Sequence, residues 1–524
     1  MCGIVGAIST QKKPELSKIV ESMNNQQIHR GPDGQGLWSS VNGMVHLGHR
    51  RLSIIDLSTA GAQPMLSLDK NFIITFNGEI YNYIELKEKC IKLGSTFQSN
   101  SDTEVIIEYY KHFGAEGIKD LRGMWAFALY DIQKNEIILS RDPFGIKPLH
   151  YGFVDGVLYF ASEIKSLKVV DDALSIPDED TIKLFEEYGY LDIGDWTFYK
   201  NIKRFPQACY AKIDLGNPVC EISPVKYWEP SIKPVEISEA DAIAKLDSLL
   251  QQSIKRHMRA DVPIAFCLSG GLDSSLIVSM SSKLSSNSNL NTFTTHFPDH
   301  PEIDETKWAK MAIDETSANA TWVQPSTEDF INDFDDVIFQ HDEPFGSTSI
   351  YAQNAIYKAI SQKGLKVSLD GQGADELFAG YHSYFLFYVL SLVHQKKYGT
   401  SLREVAWIIF RQPSLLRQLL SISILGKIAE KCRNLLSSKK TNEPVNPTEI
   451  SKRLAFIRGL QTPDFSQHLL NTLLFSSIPQ LLRNGDRNSM RHSVESRVPF
   501  LDVDLVDFVL SLPDNYKIRN AVTK

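Results

Sequence analysis

The six cysteines of this 524-residue chain, at positions 2, 90, 209, 220, 267 and 432, form no CxxC pair and are too sparse for a disulfide scaffold. That scarcity points to a reducing compartment and argues against a zinc-thiolate site. Basic charge is also in short supply: a net charge of -8 and a pI near 5.9 leave no broad cationic field for nucleic acid. The start, Met1-Cys2-Gly3-Ile4-Val5-Gly6, has neither a basic leader nor a long apolar run, so no signal peptide is expected and the protein reads as cytoplasmic. Long hydrophobic runs are missing too. Residues 384–393 are short, and 407–425 is broken by Arg411, Pro413 and Arg417, whereas a membrane span needs about 20 apolar residues. Both stretches are expected as buried helices, and small-molecule chemistry is what remains. No internal repeat is present.

With 43% hydrophobic residues, the chain has material for more than one core, and its pattern changes along its length. Residues 1–211 are rich in short β-branched and aromatic runs, among them 72–76 and 125–130, punctuated by Gly, Asn and Asp. This predicts an α+β layered domain with a helix over 83–93. Residues 212–236 carry Pro218, Pro224, Pro230 and Pro234 without any hydrophobic period, and are expected as a linker. From 237 to 524, Ile243, Leu246, Leu250 and Ile254 recur at helical spacing. Strand-like runs at 263–268, 291–297 and 366–370 then alternate with helical ones, which predicts a parallel α/β sheet. Residues 384–472 read as helical, with a polar loop over 437–449.

Cys2 follows an initiator Met. Removal of Met1 would leave one residue carrying both a thiol and an α-amine, and an amine with a pKa of about 7.7 to 8.0 can take the thiol proton near neutral pH. Taken alone, an N-terminal cysteine reads as an inert buried thiol, and its surroundings reverse that reading. Asn77-Gly78-Glu79 follows a β run, where a side-chain amide and a glycine N–H could converge on an oxyanion, although Asn-Gly is also a hairpin signal. Arg51 offers a planar fork for an α-carboxylate, and Glu79 and Asp102 offer charge for an α-ammonium. Singly, Arg51 reads as a surface charge and Asp102 as a helix cap.

Ser269-Gly270-Gly271-Leu272-Asp273-Ser274-Ser275 lies between a predicted buried strand and a helix, where its backbone N–H groups could cradle a phosphate. It lacks the GK[ST] ending of a Walker loop, so Asp273 would hold Mg²⁺ instead. Asp370-Gly371-Gln372-Gly373-Ala374-Asp375-Glu376 also follows a strand, and Asp375 could share the metal with Asp273.

Met1-Cys2-Gly3-Ile4-Val5-Gly6, His29-Arg30-Gly31-Pro32-Asp33, Arg51-Leu52-Ser53, Asn77-Gly78-Glu79 and Ser101-Asp102 stand in the order seen in class II glutamine amidotransferases, which the first half of the chain resembles. The resemblance implies an N-terminal-nucleophile (Ntn) hydrolase sandwich. It also implies a glutamyl thioester on Cys2, an oxyanion site at Asn77 and Gly78, and glutamine held by Arg51, Leu52, Ile54, Glu79 and Asp102. Arg141 to Gly145 and Ala161-Ser162-Glu163 look like scaffold motifs of that family.

The second half resembles an ATP-pyrophosphatase domain with added helices. By that likeness Cys267, Ser269, Gly270, Gly271, Asp273, Ser274, Thr295, Asp370 and Gly371 would line ATP. With Asp486-Arg487 and the run from Glu495 to Asp502, nearly the whole chain resembles the glutamine-hydrolysing asparagine synthetase family. The implied reaction takes aspartate, ATP and glutamine to asparagine, AMP, pyrophosphate and glutamate through an aspartyl-adenylate, with ammonia carried inside the protein in a homodimer. Gln372 departs from the family's usual glutamate at the synthetase site, and an amide cannot act as a carboxylate base. The segment 341–349 is expected to border the acceptor pocket. By the same resemblance the family continues past residue 524 into a lysine-bearing loop, so a C-terminally incomplete synthetase domain is expected. Two other readings stay open: an amidotransferase acting on another carboxylate, such as a uronic acid or peptide precursor, and a regulatory homologue that has lost synthesis.

Overall fold

A computed structural model describes residues 2–217, 221–285, 290–412 and 448–524. These fall into two compact units that are not contiguous in sequence: residues 1–229, 251–371 and 479–502 form the first, and 230–250, 372–478 and 503–524 the second.

In the first unit β1 (Gly3–Ser9), β2 (Gly34–Ser39), β3 (Val45–Arg51), β4 (Met65–Leu66), β5 (Phe72–Ile80), β6 (Gly123–Asp131), β7 (Glu136–Arg141), β8 (His150–Val154), β9 (Val157–Ala161), β10 (Ile202–Arg204), β11 (Cys209–Asp214) and β12 (Val225–Lys226) make two antiparallel sheets. Their orders are β10-β8-β9-β1-β3-β2 and β12-β11-β7-β6-β5-β4. Because strand side chains alternate between faces, each strand feeds two cores. Ala126, Ala128 and Tyr130 of β6 join Ile4 and Ile8 of β1 in a core shared by the sheets. Trp125, Phe127 and Leu129 face the opposite way, onto Val105 and Ile106 of helix Asp102–Phe113 and Leu86 of helix Tyr83–Lys92. Val5 and Ala7 pack on Leu16, Val20 and Met23 of helix Leu16–Asn25. Each buried side chain of this size contributes about 1.5 to 3 kcal/mol. The stretch read as a linker supplies the end of β11 and all of β12.

The same unit holds a second, parallel sheet. Its strands, β13 (Ile264–Cys267), β14 (Asn291–Thr295), β15 (Asn319–Val323), β16 (Val367–Leu369) and β17 (Glu495–Arg497), are ordered β15-β14-β13-β16-β17. Three were expected; β15 and β17 were not.

In the second unit the apolar run near 384 is helix Ser383–His394, whose Tyr388 meets Phe465 edge-on with ring centroids 5.3 Å apart. The run near 407 is helix Tyr398–Arg411 as far as it is described. Residues 413–425 and 437–447, where the rest of that helix and most of the polar loop were expected, lie outside the described residues. Among the described residues no helix is long and apolar enough to cross a membrane.

Candidate active site

Cys2 enters β1 with its side chain buried, and its nitrogen donates to Asn77 Oδ1 at 3.0 Å. Asn77 and Gly78 sit inside β5, opposite Ala126 and Trp125 of β6, so the hairpin reading of Asn-Gly is set aside. The tie to Cys2 leaves Asn77 Nδ2 only a long 3.5 Å contact to Ser162 Oγ, a donor free to strengthen on an oxyanion. Gly78 has φ +156°, and a Cβ there would stand 2.1 Å from Met124 O, so the close strand crossing requires glycine. Burial pushes the Cys2 thiol up, and a hydrogen bond from the Leu52 backbone opposes it.

Charge is concentrated beside this thiol. Glu79 is 5% exposed and its Oε2 has no hydrogen-bond partner, while burial, Glu495 and Asp102 hold its carboxyl well above the usual range. Asp102, the first residue of its helix, accepts from Ile80 N at 2.9 Å, and burial pushes its carboxyl up to about 6. The cap of that helix is Ser101, whose side chain accepts from Thr103 N. Two buried carboxyls beside a single guanidinium, with Arg497 Nη2 3.8 Å from Glu79 Oε1, form a pocket suited to an ammonium group.

Arg51 is half-buried and bonded to its own loop, donating to Ser58 O at 2.7 Å and to Asp56 O. Leu52 and Ile54 are buried, and Ile54 O accepts from Asp261 N at 3.0 Å.

The motifs read as scaffold converge behind Cys2. Arg30 donates to Cys2 O at 3.1 Å and grips Asp486 with both terminal nitrogens, at 2.8 and 2.9 Å, and Glu163 at 2.8 Å. Asp142 accepts four backbone N–H groups, from Trp125, Phe144, Ile146 and Lys147. The segment 341–349 begins with groups already engaged. Asp342 accepts from the nitrogens of Ile164 and Lys165, and Glu343 accepts from Arg204 at 3.0 Å.

At the carboxyl edge of the parallel sheet, Cys267 and Thr295 end β13 and β14. The loop after β13 closes on itself: Ser274 Oγ accepts from Ser269 N at 3.2 Å, and Ser269 Oγ accepts from Gly271 N at 3.2 Å. It then opens helix Leu272–Leu284. Gly270 has φ +88°, and a Cβ there would meet Ala309 N and Glu305 O at 2.8 Å. Asp370 donates its N–H to Arg497 O at 2.8 Å and takes a 3.3 Å contact from the Tyr357 hydroxyl. Gly371 lies against the helix start, where a Cβ would stand 3.3 Å from Ser274 N. The geometry suits a phosphate approached by backbone N–H groups at a helix N-terminus.

In the second unit Gln372 is half-buried, and Asp375 lies in helix Ala374–Phe378. Asp375 Oδ1 is ion-paired with Lys524 Nζ. Among the described residues no cluster of three or more His, Cys, Asp or Glu could hold a metal by itself.

Residues 1–228 match the family described as a glutamine amidotransferase domain, and residues 245–524 match asparagine synthase. The chain is 31% identical over 541 residues to an asparagine synthetase [glutamine-hydrolyzing] 1 of Bacillus subtilis strain 168, covering all of this chain and 83% of that protein. It is 30% identical to the amidase chyE of Penicillium rubens, over 99% of this chain and 83% of that one. Asparagine synthetase B [glutamine-hydrolyzing] of Escherichia coli K12 is 32% identical, over 73% of this chain and 65% of that protein. Among solved structures, glutamine phosphoribosylpyrophosphate amidotransferase from B. subtilis aligns at 16% identity and a TM-score of 0.33, over 71% of this chain and 75% of that one.

Proposed function

Because the chain belongs to the asparagine synthase family and is a glutamine-hydrolysing carbon-nitrogen ligase, we propose that it converts aspartate to asparagine, with glutamine as the nitrogen source. The observation that carries the glutaminase half is the buried Cys2 thiol, with Asn77 tied to its nitrogen and the Leu52 N–H on its sulfur. In this reading the processed Cys2 amine accepts the thiol proton. The thiolate attacks the carboxamide carbon of glutamine, Asn77 Nδ2 and Gly78 N–H take the negative charge on oxygen, and the Cys2 ammonium returns its proton to the amide nitrogen as the C–N bond breaks and ammonia leaves. Water then releases glutamate from the thioester. Glu79 and Asp102 hold the substrate ammonium, and Arg51 turns from its loop carbonyls to the carboxylate. The fold of this half is read as the N-terminal-nucleophile sandwich.

The synthetase half is read as activating a carboxylate by attack on the α-phosphate of ATP, which expels pyrophosphate, with AMP leaving when ammonia attacks the acyl carbon. Cys267, Ser269, Gly270, Gly271, Ser274, Thr295, Asp370 and Gly371 would bind the nucleotide. Asp273 and Asp375 are the proposed Mg²⁺ ligands, and an ion that draws most of its ligands from phosphates and water needs no larger carboxylate cluster. Gln372 would position ammonia through its amide. Cytoplasmic location and a homodimer are part of the same proposal.

The 30% identity to an amidase over almost the full chain supports a second reading, in which the acceptor is another carboxylate. Pyrophosphate release measured across a panel of acids decides between them. A response to aspartate alone supports asparagine synthesis. Silence with aspartate beside a response to a uronic or peptidyl acid replaces it.

A further inference from the structure

Arg497 lies in the part of the chain that matches asparagine synthase, yet its side chain faces the amidotransferase pocket. It is fully buried on β17. Its Nε donates to Glu495 Oε1 at 2.7 Å, and its Nη1 donates to His257 O and Arg259 O, each at 2.7 Å. Three hydrogen bonds thus fix the guanidinium plane, and the Tyr81 ring covers it with its centroid 5.4 Å away. The nitrogen left over, Nη2, has no hydrogen-bond partner among the described residues and stands 3.8 Å from Glu79 Oε1. Glu79 Oε2, on the other side of the same carboxyl, is unpartnered as well.

A carboxyl this deep ionises only against a fixed cation, and among the described residues Arg497 makes its one salt bridge. We propose that Arg497 is a positioning residue for glutamine hydrolysis: it orients Glu79 and favours its anionic form, so that the outer oxygen receives the substrate ammonium. The glutamine pocket is then incomplete without β17, and Arg497 O, which accepts from Asp370 N at 2.8 Å, joins that strand to the nucleotide edge. The groups that act on Glu79 are Arg497 and Glu495 from β17, Asp102 from its helix, the Cys2 thiol, Tyr81, Tyr83 and the amino-terminal charge. Of the two on β17, one favours the anion and one opposes it.

This inference rests on the glutaminase reading, and opposite signs test it. In the full-length protein, Arg497→Gln should raise KM for glutamine at least about tenfold at neutral pH with a much smaller change in kcat. It should also move the acid limb of kcat/KM up by about one pH unit, and Arg497→Lys should restore part of both. Glu495→Gln removes the opposing charge, so it should lower KM and move the limb down. In a Glu79→Gln background, Arg497→Gln should add little. A merely structural Arg497 would shift both β17 variants in the same direction, and that result, or an unchanged KM in folded Arg497→Gln, overturns the proposal. Should Arg497→Gln fail to fold, the sign of the Glu495→Gln shift decides alone. Glutamine hydrolysis that survives Cys2→Ala would remove the glutaminase reading itself; hydrolysis that depends on Cys2 but ignores β17 removes only this inference.

Discussion

Cys2 N and Asn77 Oδ1 are 3.0 Å apart, so the residue offering the nucleophile and the residue offering the oxyanion donor are held in register by one hydrogen bond from the residue before β1 to β5. The two strands belong to different sheets, and this bond locates the proposed site where their ends meet.

Replacing the sulfur tests that site directly. Cys2→Ala is expected to abolish glutamate release, by at least about a thousandfold, because the thiol is the proposed nucleophile. Synthesis from ammonium chloride should persist, and measuring AMP with each nitrogen source checks the separation. Loss of both activities in a folded variant would contradict two separable sites.

Asn77→Ala should lower kcat for glutamine hydrolysis by about 10² to 10³, the usual effect of losing one oxyanion donor, and should leave KM nearly unchanged. Gly78→Ala carries a further cost, since the new Cβ would stand 2.1 Å from Met124 O. It should destabilise the fold by about 2 kcal/mol or more, visible as a lower Tm.

Asp102, with its carboxyl pushed up to about 6, gives a pH test whose sign is fixed. Above pH 6 the carboxylate is ionised and attracts the glutamine ammonium. As pH falls through 6 it protonates, and kcat/KM should fall, approaching about tenfold per pH unit. Asp102→Asn takes one negative neighbour from Glu79, so it should raise KM while moving the remaining limb to lower pH. A profile flat down to pH 5 would contradict the role of both carboxyls.

At the nucleotide edge, Gly270→Ala places a Cβ 2.8 Å from Ala309 N at a φ of +88°. KM for ATP should rise by at least about tenfold, while Cys2-dependent glutaminase activity is retained.

The long apolar strands were legible because burial on both faces leaves a continuous β-branched and aromatic record, as in β5 and β6. The short ones were not. β15 is an edge strand with largely exposed positions, and β17 is Glu-Ser-Arg, a polar triplet that reads as surface yet is completely buried. Its burial is tolerated because Arg497 bonds Glu495 and two carbonyls from residues 257 and 259, partners that no local pattern announces. Arg51 shows the reverse. Its motif suggested a free carboxylate fork, but folding brought the carbonyls of Asp56 and Ser58 onto it.

Local sequence therefore determined the chemistry on offer: a thiol at position 2, an amide and glycine after a strand, and a glycine-rich turn between a strand and a helix. It did so because nucleophiles, oxyanion donors and phosphate loops need particular residue types at short spacing. Only the tertiary structure decided which charges face one another. Glu79 with Arg497, Arg30 with Asp486 and Asp375 with Lys524 are separated by more than a hundred residues each, and such pairings are set by how sheets and helices pack.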